Sequence, residues 1–348
     1  MTTAATMTSR ERVIRTLNHE PVDRVPRDLR VAPAVEALRG DEVAELSFRY
    51  PADILRADAR PHKGPRTRGN PAEPGEHTDA WGCVWQVPER HGTGRLKLSP
   101  LADLGQLAGY RLPWELVEKP SFAAVNRAAA ATSRFVLGWT EVRPLERLGF
   151  LHGPQDTHRE LALGTRPIRD LLDMVHDVFC REIETWAASD VDGVVFQDGW
   201  GPGSLLPIPP RAWRELLRPL YREYCEILHA RDKFAFFRCE GSVEEVFEDL
   251  VQAGIDAIEA EVASLDLQRL ADRYRGRITF WGAAEHRELL ASGTAEEIRA
   301  AVHRLGSAVD FGRGGVIAQA EWTPAVSFDS VAAFFEQWLA PLPMDGRT

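Results

Sequence analysis

Cysteine is scarce in this chain: Cys83, Cys180, Cys225 and Cys239 are its four, and no CxxC pair occurs among them. That spacing excludes a disulfide framework or a cysteine-rich zinc site and suits free thiols in a reducing compartment. Cys180 and Cys225 fall inside helical patterns, where a thiol serves as a small buried hydrophobe. Long apolar runs are missing too, since none approaches the ~20 residues needed to span a bilayer. The opening Met1-Thr2-Thr3-Ala4-Ala5-Thr6 has no apolar h-region, so a cytoplasmic location is expected. Basic excess is absent: the formal net charge is -10. Nucleic acid and anionic membranes both select basic faces, so neither is an expected partner.

What is present is an ordinary globular composition, 44% hydrophobic over 348 residues, long enough for one large α/β barrel or two domains. The spacing predicts a helix over 8–19, capped by Ser9, with Val13, Ile14 and Leu17 on one face. A polar turn leads to a short apolar stretch, Leu29 to Val35. A helix over 41–55 then runs into Tyr50-Pro51-Ala52-Asp53-Ile54-Leu55, read as the entry to a strand carrying Asp53. From Pro61 to Glu76 the chain is rich in Pro, Gly, Arg and His without periodicity, and Asp79 to Val87 alternates like a strand. Residues 61–90 are therefore expected to form a loop and hairpin insertion over the mouth of a single domain spanning 1–348.

The second two thirds is regular. Strands are predicted at Arg134–Glu141, Val191–Phe196, Phe234–Phe237, Ile255–Glu261, Arg277–Trp281 and Gly315–Gln319. Helices alternate with them, among them a stripe of Leu171, Leu172, Val175, Val178, Phe179 and Ile183. Another follows Pro209 and Pro210, which suit a helix start. Strand and helix recur every ~20 to 40 residues with neither GxGxxG nor P-loop, which argues for a parallel sheet with crossover helices. Six units are legible, and the segments near Leu29 and Asp53 complete eight. The expected fold is a (β/α)8 TIM barrel, α/β, with an N-terminal helical and loop extension.

In such a barrel the functional residues sit where strands end. The stretch Lys233 to Asp249 is the clearest case. Its strand stops at Arg238, Cys239 and Glu240, Gly241 turns the chain, and Ser242 with Glu245 reads as a capping box. The bland alternative is that Arg238 and Glu240 pair with each other at the strand end. The remaining strand ends offer Asp53, Glu141, Asp198, Glu261, Glu285 with His286, and Glu321 with Trp322; Trp281 ends its own strand. Carboxylates crowded at one mouth raise each other's pKa unless a cation lies among them. That cation is a divalent metal, an amine on the substrate, or Arg238. His286 is the residue suited to shuttling protons near neutrality.

These residues resemble the uroporphyrinogen decarboxylase superfamily, which also holds the zinc-dependent corrinoid and coenzyme M methyltransferases. The resemblance rests on Thr8-Ser9-Arg10-Glu11-Arg12-Val13, Asp23-Arg24-Val25-Pro26, and Asp192-Gly193-Val194 with Asp198. It continues through Gly254-Ile255-Asp256-Ala257, Ile278-Thr279-Phe280-Trp281-Gly282 and Gly314-Gly315-Val316-Ile317-Ala318, covering nearly the whole chain. It implies a (β/α)8 barrel with a funnel at the carboxyl ends of the strands, and it admits a homodimer. Two departures stand out. The decarboxylases' Arg-Gln-Ala-Gly-Arg motif, whose arginines bind substrate carboxylates, is replaced by Arg27-Asp28-Leu29-Arg30-Val31-Ala32-Pro33. Where the methyltransferases carry His-x-Cys (or His-x-Asp) and a later Cys as zinc ligands, this chain has Arg238-Cys239-Glu240 and Ala320, beside Glu321. Arginine and alanine cannot ligate a metal.

Three expectations follow. The first is lyase chemistry of the decarboxylase type on a small molecule other than uroporphyrinogen, with Asp198, Arg238, Glu240, His286 and Glu321 as catalytic residues. Asp53, Glu141, Cys239, Glu261, Glu285, Trp281 and Trp322 would line the substrate. The second is a methyltransferase handling a methyl-corrinoid or methoxy compound. It would hold a divalent metal ion on Cys239, Glu240 and Glu321, with a corrinoid protein as partner. The third is a non-catalytic ligand-binding barrel. A divalent metal is the only cofactor these residues suggest.

Overall fold

The computed structural model describes residues 7–59, 64–90, 92, 94–118, 121–200, 205–261, 267–282, 285–309 and 313–339, the side chains of 261, 267, 285–287 and 309 excepted. Eleven strands are described: β1 (Arg27–Val31), β2 (Ile54–Asp58), β3 (Gly75–Thr78), β4 (Val84–Val87), β5 (Arg95–Leu98), β6 (Phe135–Trp139), β7 (Gly193–Gly199), β8 (Phe234–Ser242), β9 (Ala257–Glu261), β10 (Thr279–Trp281) and β11 (Val316–Trp322). Eight of them form one sheet in the order β1-β11-β10-β9-β8-β7-β6-β2, and β3, β4 and β5 form a second. Helices separate the strands of the large sheet in sequence, and the fold is the (β/α)8 barrel. Among the described residues no helix is long and apolar enough to cross a membrane.

The chain divides into two compact units. The first comprises Met1–Arg56, Ala131–Leu137 and Ile255–Thr348. In it β1 pairs in parallel with β11, with Asp28 beside Gln319 and Arg30 beside Glu321. β11 pairs with β10, and β10 with β9. The Asp53 N–H donates to the Arg27 carbonyl at 2.8 Å, which ties the start of β2 to the start of β1. Helix Ser9–Leu17 buries Val13 and Leu17, as its apolar spacing requires. Its cap is Thr8 rather than Ser9: the Thr8 hydroxyl accepts from Glu11 N–H at 3.1 Å. A capping box opens helix Ala295–Val309 of this unit, with Glu297 N–H on Thr294 Oγ1 and Thr294 N–H on Glu297 Oε2.

The second unit comprises Ala57–Ala130 and Gly138–Gly254. β7 and β8 run in parallel with Gln197, Asp198 and Gly199 opposite Arg238, Cys239 and Glu240. Helix Arg166–Ala187 buries the expected stripe, from Ile168 through Ile183. The helix after Pro209 is two helices, Pro210–Leu216 and Arg218–His229. Pro219 has no N–H to continue a helical ladder, so it falls in the first turn of the second. Within residues 61–90, β3 and β4 join β5 in the antiparallel sheet, and residues 61–63 lie outside the described set. β8 also runs further than its sequence suggests. It continues through Gly241 to Ser242, and the helix starts only at Phe247. No capping box between Ser242 and Glu245 forms; the Ser242 hydroxyl only meets Glu244 N–H at 3.5 Å.

Candidate active site

In the first unit, the face of β1 that carries Asp28 and Arg30 gathers charged side chains from four strands. Alternate residues of a strand share a face, which puts these two side by side. Asp28 is buried. Its Oδ2 accepts from Arg56 Nη2 of β2 at 2.6 Å and from the indole N–H of Trp281 at 2.9 Å. Arg30 is hydrogen-bonded to Glu321 through Nη2, which also lies 3.6 Å from Glu259 of β9. Gln319, beside Asp28, is buried, and its Nε2 has no hydrogen-bond partner among the described residues. Two guanidinium groups thus stand among three carboxylates. Arg30 and Arg56 place positive charge at this acidic strand edge.

Asp53 belongs elsewhere, which corrects its expected position. It precedes β2 instead of following it, at the amino end of the strand. In a barrel that edge reads as stability, not catalysis. The carboxylate is fully buried and accepts from Ser9 Oγ, Arg12, both terminal nitrogens of Arg24, and the N–H of Arg27, at 2.6 to 2.9 Å. Arg12 also binds Asp23 through two hydrogen bonds, which hold the Asp23 carboxyl below its usual range. The amino-terminal segments quoted above are therefore an ion-pair lock.

In the second unit, the carboxyl end of β7 and β8 splits by face. Arg238 donates to Glu240 at 2.7 Å and meets Gln197 at 3.4 Å. Arg238 and Glu240 do pair, as the bland reading of that stretch has it. Cys239 and Asp198 lie on the opposite face, both buried. Consecutive residues of β8 cannot converge on one ion, so a metal held jointly by Cys239 and Glu240 does not fit this strand.

Asp198 faces the helices. Oδ1 accepts from the N–H of Glu146 at 2.8 Å; Oδ2 accepts from the N–H of Leu145 at 2.9 Å and from the Tyr221 hydroxyl at 2.6 Å. It thereby caps helix Pro144–His152, and Gly199 alongside leaves room for the Glu146 side chain, which a Cβ there would meet at 2.7 Å and push aside. Burial pushes the Asp198 carboxyl up to about 7 against these three donors. Glu182 is likewise pushed by burial to about 7, and it accepts from the N–H of Glu141 at 2.9 Å. The Glu141 side chain is exposed and pairs with Arg143 at 2.9 Å.

Of the remaining expected residues, Trp281 and Trp322 are fully buried. The first donates to Asp28, the second to the Val326 carbonyl at 3.0 Å. They brace the strands rather than present a surface to a ligand. The side chains of Glu261, Glu285 and His286 lie outside the described residues. Sequence reasoning passed over Asp28, Arg30, Arg56, Glu259 and Gln319. For three of them the signal was alternation: Asp28 with Arg30, and Arg56 with Asp58, repeat charge at every second position, the period of one strand face.

Comparison with known proteins agrees with this architecture. A methyltransferase from Methanosarcina mazei superposes with a TM-score of 0.70 at 14% identity, over 95% of this chain and 98% of its own. A 3-keto-D-glucoside 4-epimerase from E. coli reaches only 0.41 at 13% identity, over 62% of this chain and 82% of its own, too low to carry any argument. No curated protein matches by sequence. Residues 150–338, more than half of the chain, match the family described as Uroporphyrinogen decarboxylase (URO-D). The chain belongs to the uroporphyrinogen decarboxylase family.

Proposed function

We propose that this chain is a small-molecule enzyme with lyase chemistry of the decarboxylase type, acting on a small carboxylic acid by means of arginine and carboxylate side chains. The observation that carries this reading is the pair Arg30 and Arg56, each aimed by buried or half-buried carboxylates. A guanidinium fork matches a carboxylate or an oxyanion in geometry and charge. Loss of CO2 breaks a C–C bond and leaves its electron pair on carbon, which then takes a proton. Arg30 holds the oxygen or second carboxylate onto which that charge spreads, a role worth most where water is excluded. Glu321, in direct contact with Arg30, carries the proton. Arg238, oriented by Glu240, is a second anion anchor. Asp198, with three donors on its two oxygens, positions helix Pro144–His152.

Methyl transfer is the second reading, favoured by the likeness to the Methanosarcina mazei methyltransferase. It needs a metal to activate the methyl acceptor. The donor set speaks against that: Cys239 turns away from Glu240 on β8, position 320 is alanine, and Glu321 is held by Arg30.

The test is release of CO2 from a panel of small mono- and dicarboxylic acids. Turnover by the purified chain is expected to fall by about 10²-fold in Arg30→Ala, with the fold checked by circular dichroism. Unchanged turnover in that variant would overturn the reading.

A further inference from the structure

Away from the strand ends, the second unit brings a nitrogen, a sulfur and an oxygen donor together between two helices. His176 and Cys180 lie one turn apart on helix Arg166–Ala187, a spacing that puts both on one side. Glu223 and Tyr224 face them from helix Arg218–His229. His176 Nε2 is 3.0 Å from Glu223 Oε2, and Nδ1 is 3.0 Å from the Tyr224 hydroxyl. Cys180 Sγ lies 3.4 Å from Nε2. One ligand atom from each of His176, Cys180 and Glu223 falls within 4.8 Å of the others. The His176 side chain is 14% exposed and Glu223 55%, so the group is reached from solvent. Elsewhere these two helices bury Val175, Phe179, Leu220 and Tyr221, so the polar group interrupts an apolar seam.

We propose that His176, Cys180 and Glu223 bind one zinc-type divalent transition-metal ion, which ties the two helices together. The inference does not depend on the proposed lyase activity. Imidazole and thiolate donors select a borderline-soft ion over calcium or magnesium. With zinc bonds of about 2.0 Å to nitrogen and oxygen and about 2.3 Å to sulfur, a tetrahedron has an N···O edge of about 3.3 Å and an N···S edge of about 3.5 Å. The observed N···O separation is 3.0 Å, and Sγ stands 3.4 Å from Nε2 before the rotation that coordination requires. The ion takes the place between Nε2 and the Glu223 oxygen that a proton fills without it. Sγ is also 3.6 Å from Nδ1, so the thiol rests against the ring. A rotation about the Cys180 Cα–Cβ bond brings it onto the ion, and water completes the coordination. Binding releases the thiol proton and moves the imidazole proton from Nε2 to Nδ1, where the buried Tyr224 hydroxyl accepts it as an orienting partner outside the coordination shell.

Cobalt(II) added to the full chain, stripped of metal by a chelator, tests this directly. One equivalent is expected to give a near-ultraviolet thiolate-to-cobalt band that zinc abolishes. The band is expected to disappear in Cys180→Ser and to survive in Cys225→Ser and Cys239→Ser. Tyr224→Phe is expected to weaken cobalt binding by about 10- to 100-fold. Glu223→Gln, at an exposed position that folding tolerates, is expected to weaken it by at least as much. No band in the wild type, or a band that persists in Cys180→Ser with Glu223→Gln as tight as wild type, would overturn the assignment.

Discussion

Two sets of carboxyl groups, one in each unit, are held by opposite means, while Asp249 of the second unit, on Arg214 and Arg218, follows the manner of the first. In the first, guanidinium groups meet them: Arg12 and Arg24 on Asp53, Arg56 on Asp28, Arg30 on Glu259 and Glu321. In the second, Asp198 and Glu182 are met by backbone N–H groups and a tyrosine hydroxyl. The electrostatic result differs in sign. Hydrogen bonds from Arg12 hold Asp23 below its ordinary range, while burial lifts Asp198 and Glu182 to about 7. A full charge offsets the loss of hydration; a few dipoles offset only part of it.

Breaking the contrast at its strongest point gives the largest effect. Asp53→Ala leaves Arg12 facing a cavity where its buried partner was, and is expected to cost about 3–5 kcal/mol, read by chemical denaturation. A loss under 1 kcal/mol would mean that the lock is ornamental.

Next comes the pH profile. The folded Asp198 carboxyl titrates near 7 and the unfolded one near 3.8, so between those values the folded chain binds more protons than the unfolded one. Its contribution to stability is full below 3.8 and is lost as pH rises toward 7, each unit of the rise carrying about 1.4 kcal/mol. Asp23 has the opposite sign: its contribution is present above its unfolded value and lost as pH falls through the lowered folded one. Denaturation of wild type and Asp198→Asn from pH 4 to 8 is expected to show a downward slope that is shallower in the variant, where Glu182 remains the raised carboxyl described. Equal slopes would contradict the account of the second unit. The smallest effect is expected from Arg24→Ala. Arg24 is a quarter exposed, and Arg12 and Ser9 remain on Asp53, so about 1 kcal/mol is expected by the same assay.

The sequence made the fold legible because its strands and helices carry their periods plainly. Val194, Val195 and Phe196 read as a buried strand, and the stripe from Leu171 to Ile183 reads as a helix face; both are found. The site was less legible. Parallel strands buried on both faces are expected to be apolar, so Arg27 and Asp28 read as the end of a polar turn before the apolar stretch from Leu29, although both belong to β1. Asp53 was misplaced as well. Its segment read as a strand entry, yet Asp53 was grouped with the strand ends; β2 runs from Ile54 to Asp58 after it, which leaves it at the amino edge. Arg238 and Glu240 were found by pattern, yet the pattern could not say that Cys239 between them faces the other way.

The central claim is that this URO-D family chain acts through arginine and carboxylate side chains, with no metal at the strand ends. The direct measurement is CO2 release from small carboxylic acids by chelator-treated protein, with methyl transfer from a methoxylated compound assayed beside it. CO2 release is expected to persist after the chelator, which would also strip the ion proposed for His176, Cys180 and Glu223, and no methyl group is expected to move. Methyl transfer that vanishes on chelation and returns with zinc would contradict the central claim.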